Sequence, residues 1–309
     1  MILAFALDKP SGLTSNQTLT QIKRKFKIKK MGHIGTLDPF ATGVLPIFID
    51  EATKLIPYLD DSKKTYRAIL SLGKSTDTLD STGLVIEEKK VPEISEKQIL
   101  ETLRWFVGYR KQTPPRYSAV KIKGKPLYRY AREGQEVKVE PRDIHIYSLK
   151  LLSFENNQIF FETEVSRGTY IRVLGEEIAQ SLGSVGHLSD LRRIQSGCFH
   201  LEKSFSLDSL FALKSLESLA QAFDAREILK DLQSVQLKEK SLFDKFLKGQ
   251  EIQFSQENLV FSQTLPEASP KLLVYFHEQL CGVGEVCSVL SGNIQLKPLR
   301  IIHSAFTHF

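Results

Sequence analysis

The 309 residues are 41% hydrophobic and 25% charged, carry a net charge of +6 and include three cysteines, at 198, 281 and 287. This is the composition of an ordinary globular protein, with enough chain for one large core and a smaller one, and no apolar run approaches the roughly 20 residues that span a bilayer. The cysteines form no C-x-x-C pair, so neither a disulfide framework nor a zinc knuckle is expected, and no metal or other cofactor. The opening Met-Ile-Leu-Ala-Phe-Ala-Leu-Asp is short and lacks the basic lead of a signal peptide, so the expected location is cytoplasmic.

Residues 2 to 7 read as a short buried strand, followed by the loop Asp-Lys-Pro-Ser-Gly-Leu-Thr-Ser (8 to 15), with Ser15 or Asn16 as helix cap. Leu19, Ile22 and Phe26 are spaced for one apolar helix face, which leaves Lys23, Arg24, Lys25 and Lys27 toward solvent. That basic helix delivers the stretch 31 to 46, Met-Gly-His-Ile-Gly-Thr-Leu-Asp-Pro-Phe-Ala-Thr-Gly-Val-Leu-Pro. Its glycines and prolines disfavour regular structure before Val44. Asp38, preceding a proline, is therefore extended in a turn that presents its carboxylate, unless the side chain is simply bonded to its own turn.

Val44 to Ile49 resumes as a strand, 52 to 59 as a helix, and 65 to 72 as a strand carrying Tyr66. Gly73-Lys74-Ser75 resembles the end of a P-loop, but that motif needs glycine at 68, where the chain has Ala68; the following Thr-Asp-Thr-Leu-Asp-Ser-Thr-Gly is turn chemistry. Ser95 and Gln98 make a capping box for a helix over 95 to 107 that Gly108 stops. Pro114-Pro115, Gly124 and Gly134 then frame an excursion of short hairpin plus short helix (125 to 133). Residues 142 to 153 and 158 to 165 read as an antiparallel hairpin around Asn156-Asn157, ending in Ser-Arg-Gly-Thr-Tyr-Ile-Arg. Thr169 would cap a helix running to Leu182. Arg172 falls in its first turn, where the helix dipole disfavours a cation, so it needs an anionic partner: either Glu176 one turn on or a carboxylate elsewhere.

Charge is unevenly spread. Residues 110 to 142 hold ten Lys/Arg against three Glu, and Lys23 to Lys30 add six cations with no acid, which leaves the remainder of the chain at −7. Tyr117, Tyr128 and Tyr130 interleave the larger cluster, a pattern suited to phosphate neutralisation with ring stacking and hence to nucleic acid. Residues 203 to 230 read as a helical connection with Ser206 and Ser215 as caps. From about 231 short strands follow (251 to 254, 258 to 261, 272 to 276, 281 to 290 and 293 to 302), and this part nets −1.

Taken together, Asp-Lys-Pro-Ser-Gly-Leu-Thr-Ser, Gly-His-Ile-Gly-Thr-Leu-Asp-Pro-Phe-Ala-Thr-Gly-Val-Leu-Pro, Lys64-Thr65-Tyr66, Pro-Pro-Arg-Tyr-Ser-Ala-Val-Lys (114 to 121), Ser-Arg-Gly-Thr-Tyr-Ile-Arg and Leu191-Arg192-Arg193 resemble, in order, the motifs of the TruB family of tRNA pseudouridine-55 synthases. Ile34 departs from the pattern, where family members often carry a small or hydroxylated residue. The resemblance implies an α+β fold: a mixed, largely antiparallel central sheet with flanking helices over 1–230, an RNA-clamping insertion at about 114–142, and a small PUA-type β-barrel-like domain over 231–309. It also implies a monomeric isomerase that everts a uridine from the T-arm of tRNA and exchanges its C–N glycosidic bond for a C–C bond. Asp38 would be the catalytic carboxylate, Arg172 its partner and Tyr66 the ring that stacks on the uracil, with proton handling as a further role. Substrate contacts would come from His33, Tyr170, Lys9, Lys121, Arg132 and Leu191.

Cleavage develops positive charge at C1′, which an ionised carboxylate stabilises or attacks. Retaining the base calls for water exclusion, and the sequence shows no second acid near Asp38. Two other classes fit the same residues less fully: a non-catalytic RNA-folding protein, and a synthase of related fold acting on another RNA site.

Overall fold

In the computed structural model, which describes residues 2–60, 62–221, 224–255, 270–290 and 292–303, the apolar stretches at either side of the first basic helix pair with each other. Ile2–Lys9 runs antiparallel to Thr42–Asp50 over eight residue pairs, from Ile2 opposite Asp50 to Lys9 opposite Gly43. They belong to a ten-stranded mixed sheet whose order is Phe205–Ser206, Ile2–Lys9, Thr42–Asp50, Gly186–Ser196, Lys63–Leu72, Gln158–Ser166, Arg142–Glu155 and Gly108–Gln112. Two further short strands, Met31–His33 and Phe199–His200, are attached to Thr42–Asp50 and Gly186–Ser196.

Alternation sets which way each strand faces. In Lys63–Leu72, Lys64, Tyr66, Ala68, Leu70 and Leu72 are buried on the side that also carries the helices; Arg67 projects from the other side to meet Glu162. Against the buried side pack α2 (Glu96–Phe106), closed by the expected Ser95–Gln98 capping box, and α4 (Ile171–Ser181). The first helix, α1 (Ser15–Phe26), is capped by Thr14 and not by Ser15 or Asn16: Thr14 and Gln17 form the capping box, which frees Ser15 for a longer-range contact with the Asp38 loop. Residues Glu51–Tyr58 form a 3-10 helix where a regular helix over 52 to 59 was expected, with Pro57 inside it.

The strand Gly186–Ser196 sits near the middle of the sheet, yet its sequence does not alternate. Register shifts at Leu188/Asp190 and Arg193/Gln195 change its parity twice, so Leu188, Leu191 and Arg193 are all buried although they do not share one odd–even set. Arg193 is fully buried and donates from Nε to the Val44 carbonyl at 2.7 Å and from a terminal nitrogen to the Gly35 carbonyl at 2.5 Å.

The insertion follows its expected outline: strands Lys121–Ile122 and Lys125–Pro126 turn at Lys123 and Gly124, both at positive φ, and lead into α3 (Leu127–Arg132). Leu127 is its buried anchor. At the C-terminal end, Gln233–Leu237, Lys271–Phe276, Gln279–Leu290, Asn293–Ile301 and Ile252–Ser255 form a five-stranded sheet in that order, which fits a PUA-like module. One apolar side covers the Lys240–Leu247 helix; the other meets Leu55, Ala225 and Leu229. The strand expected at 258 to 261 lies outside the described residues.

Gly43, at φ +101, marks where two strands touch backbone to backbone. A Cβ there would stand 2.1 Å from the Arg193 carbonyl oxygen. Gly43→Ala is therefore expected to lower unfolding free energy by at least about 3 kcal/mol, or to prevent accumulation of folded protein, whereas Gly134→Ala, at φ +68 in open space, should cost only about 1 kcal/mol. Urea unfolding of the two variants checks this; equal destabilisation would contradict the close approach.

Candidate active site

The loop carrying Asp38 is pinned from behind by the loop after the first strand. Ser15 Oγ accepts from the Leu37 amide at 3.0 Å and donates to the Leu37 carbonyl at 3.2 Å; Ser11 Oγ donates to the Phe40 carbonyl at 3.0 Å, and the Gly12 amide to the Pro39 carbonyl at 2.8 Å. Lys9 is fully buried, its ammonium donating to the carbonyls of Pro10 and Leu13 at 2.7 Å each and of Pro39 at 3.3 Å. Lys9, expected among the substrate contacts, thus ties its own loop to the Asp38 loop through Pro39. Burial pulls its pKa down to about 8, against the attraction of Asp38.

Asp38 and Arg172 meet. The strand that follows Asp38 and the strand that precedes Arg172 are three inter-strand spacings apart in the sheet, about 14 Å. Both loops lean inward over the two strands between them, and Arg172 Nε lies 2.8 Å from Asp38 Oδ2. Arg172, 3% exposed, also donates to the carbonyls of Thr78 at 2.5 Å and Tyr117 at 2.9 Å, and lies 3.5 Å from Asp80. Glu176, the local alternative, is not its partner. The helix opens with Tyr170 at the N-cap position, without a side-chain cap, and not with Thr169.

Asp80 is the residue that sequence reasoning missed, and it corrects the expectation of no second acid. It sits in the Thr-Asp-Thr-Leu-Asp-Ser-Thr-Gly turn, 4% exposed, with Oδ1 accepting from the Thr78 and Thr82 hydroxyls at 2.8 and 2.6 Å and from the Thr82 amide at 3.0 Å. Only its distance through space to Arg172 betrays it; the turn composition gives no hint. Burial pushes the Asp38 pKa up and Asp80 pushes the same way, while Arg172 and Lys9 pull it down; the balance leaves it above the ordinary value.

The pair opens onto a cavity of about 570 Å³. Its floor comes from the two central strands, with Tyr66, Leu191 and Arg193, the Arg193 guanidinium lying 6.0 Å from the Tyr66 ring centre. One wall is His33 to Asp38, another Arg167 to Arg172, and a third Ile56, Pro57 and Leu59. His33 bonds Thr36 at 3.2 Å, and burial with nearby Arg193 lowers its pKa, so it is neutral at neutral pH. Tyr170, held by a two-way bond with Gln112 at 2.8 and 3.1 Å, has its phenol pKa raised by burial.

The expected site residues thus fall into two groups. Asp38, Tyr66, Arg172, His33, Tyr170 and Leu191 surround the cavity; Lys121 and Arg132 stand outside it on the insertion, exposed, with Arg132 over the Tyr128 ring at 5.6 Å and Lys125 over Tyr130 at 4.4 Å. Among the described residues no group of three or more His, Cys, Asp or Glu is arranged to hold a metal ion, and no helix is long and apolar enough to cross a membrane.

Comparison with known proteins gives the family. Residues 23–171 match the family described as "TruB family pseudouridylate synthase (N terminal domain)". A protein of Hydrogenovibrio crunogenus named tRNA pseudouridine synthase B is 43% identical over 282 residues, covering 90% of this chain and 88% of its own. A protein of the same name from Geobacter sulfurreducens is 44% identical over 214 residues, 69% of this chain and 70% of its own. In the crystal structure of a Cbf5-Nop10-Gar1 complex, one chain superposes with a TM-score of 0.71 at 23% identity, over 97% of this chain and 84% of that one, a likeness of fold. The chain belongs to the TruB family of pseudouridine synthases.

Proposed function

We propose that this pseudouridine synthase isomerises uridine 55 in the T-arm of tRNA, with residues 1–230 forming the catalytic part and 231–309 a PUA-like module. The observation that carries the reading is the 2.8 Å contact between Asp38 and Arg172 in the lining of a cavity floored by Tyr66. A cavity of about 570 Å³ falls in the range of small-molecule sites and admits one everted nucleotide. Eversion from a folded loop costs a few kcal/mol, which contacts to phosphates and stacking in the pocket offset.

In the reaction the N1–C1′ bond breaks, the base turns in place, and C5 bonds to C1′; the proton on C5 is lost and N1 gains one, so the product is an isomer. Asp38, ionised, faces the carbon where positive charge develops. Arg172 fixes the carboxylate's direction and favours its charged form, and Asp80 behind Arg172 keeps that guanidinium in place. Tyr66 stacks on the uracil and limits its movement while it is detached. Tyr170, Leu191 and the Ile56–Pro57 wall keep water from the cationic sugar. Outside the pocket, Lys121, Lys123, Lys125 and Arg132 follow the phosphates of the T-arm, whose shape is read instead of its groove sequence.

Asp38→Asn is expected to bind a tRNA within about threefold of the parent while pseudouridine formation falls about a thousandfold or more; undiminished product removes Asp38 from the chemistry. Because the reactive form is the carboxylate and its pKa is raised, kcat/KM should decline on the acid side with a midpoint above the ordinary 3.8. Asp80→Asn, which removes a neighbouring negative charge, should move that midpoint to lower pH, and a move upward contradicts the assigned balance of charge around Asp38.

Replacing Lys121, Lys123 and Lys125 with Gln should weaken tRNA binding and reduce the log Kd against log salt slope by about 1 for each lysine on a phosphate. An unchanged slope, measured by filter binding across salt concentrations, takes the insertion out of the RNA interface.

A further inference from the structure

The 3-10 helix Glu51–Tyr58 is a plate with different neighbours on its two sides. On the inner side Ile56 and Pro57 line the cavity, and Ile56 packs so closely on the Met31–His33 strand that a Cβ at Gly32 would come within 3.3 Å of it. On the outer side it meets the C-terminal sheet. Leu55 is fully buried in one apolar cluster with Leu273, Tyr275 and Val283. Lys54 Nζ donates to the Ile301 carbonyl at 2.8 Å and to Glu51 Oε2 at 2.6 Å, and the same carboxylate oxygen accepts the His303 amide at 3.1 Å. Lys271 lies 5.5 Å from the Tyr58 ring centre. Burial raises the Glu51 pKa, but Lys54, the His303 amide and Lys30 outweigh it, so the group stays ionised at neutral pH.

Little inside the plate fixes its position. Eight residues is long for a 3-10 helix, whose hydrogen bonds are poorly aligned; Pro57 donates none, and the chain turns into the helix through Asp50 at φ +48. What stands on either side must therefore hold it.

We propose that Glu51 and Lys54 are positioning residues for the reaction: by clasping the last strand of the C-terminal sheet, they set where Ile56 and Pro57 stand in the pocket wall. On this reading, which rests on the function assigned to the cavity above, the C-terminal module contributes to the rate through the wall it shares with the active site. Any contact it makes with RNA is additional.

The test uses the full chain with a T-arm stem-loop RNA, comparing the parent with Lys54→Gln, Glu51→Gln/Lys54→Gln and, as rescue, Lys54→Arg. A misplaced pocket wall should lower kcat about tenfold in Lys54→Gln with KM within about twofold, and Lys54→Arg should recover at least about half of the rate. A kcat within about twofold of the parent in Lys54→Gln overturns the proposal. So does a fall confined to KM, or one that only tracks the folded fraction in a thermal melt. Should the double variant fail to fold, Lys54→Gln alone decides, because its side chain is 27% exposed and tolerates the change. Turnover by the parent separates the two readings: a parent that cannot convert the stem-loop removes the assigned function and this proposal together, whereas an active parent with indifferent variants removes the clasp alone.

Discussion

One guanidinium gathers three distant parts of the chain. Arg172 bonds or pairs with Asp38, Thr78, Asp80 and Tyr117, so the Asp38 loop, the turn holding Thr78 and Asp80 and the foot of the insertion all converge on the start of α4. A cation buried to this degree costs several kcal/mol to desolvate and is tolerated only with its full set of partners. These partners come from segments far apart in sequence, which makes the arrangement a positional device more than a source of net stability. Two carboxylates share the one guanidinium; burial, with Asp80 adding to it, raises the Asp38 pKa even though Asp38 is paired. Asp38 is thus aimed by an ion pair yet destabilised in its charged form. Asp80 is placed differently. It lies behind Arg172, saturated by threonine donors, and does not line the cavity.

Two more buried cations frame the pocket. Lys9 ties the carbonyls of its own loop and of Pro39, and Arg193 ties those of Gly35 and Val44, so the His33–Asp38 segment is gripped from both ends by charged hydrogen bonds. Both ends matter because the segment has almost no secondary structure of its own beyond the short Met31–His33 strand. Rigidity that a helix or sheet would supply from its ladder is here supplied by side chains reaching backbone oxygens. The cost falls on the cations: burial pulls the Lys9 pKa down to about 8.

Local signals were legible in the sequence and non-local ones were not. Ser95 and Gln98 announce α2 because a capping box is complete within four residues, and Asn156-Asn157, both at positive φ, announce the long hairpin for the same reason. The central Gly186–Ser196 strand stayed hidden because two bulges break the period that identifies a strand, and because a buried Arg193 reads as a surface residue until its carbonyl partners are known. Ser15 looked like a helix cap because Thr14, one residue earlier, is an equally good one; the bond to Leu37 that distinguishes them spans 22 residues. Asp38 and Arg172 were separately conspicuous, one before a proline in a glycine-rich turn, the other a cation at the wrong end of a helix dipole. Their contact was implied by family resemblance alone. Asp80 carried neither a local signal nor a place in the resemblance, since its role is set by Arg172, 92 positions away.

The charges divide into two populations with different physics. Lys121, Lys123 and Arg132, and the basic last turn of α1 with Lys23, Arg24 and Lys25, are solvent-facing or partly so on flexible stems. Their attraction for a polyanion is screened over about 8 to 10 Å at physiological salt. Lys9, Arg172 and Arg193 are removed from water, and salt reaches them weakly. The two sets therefore respond to the medium differently: ionic strength governs the pull of the exposed cations on a polyanion, while the buried cations around Asp38 are screened far less. The separation has a structural basis in the sheet. Lys9 ends the first strand, Arg193 lies within the Gly186–Ser196 strand and Arg172 in the first turn of α4, whereas the exposed cations sit on the insertion and on the outer face of α1, so neither set has to compromise its geometry for the other.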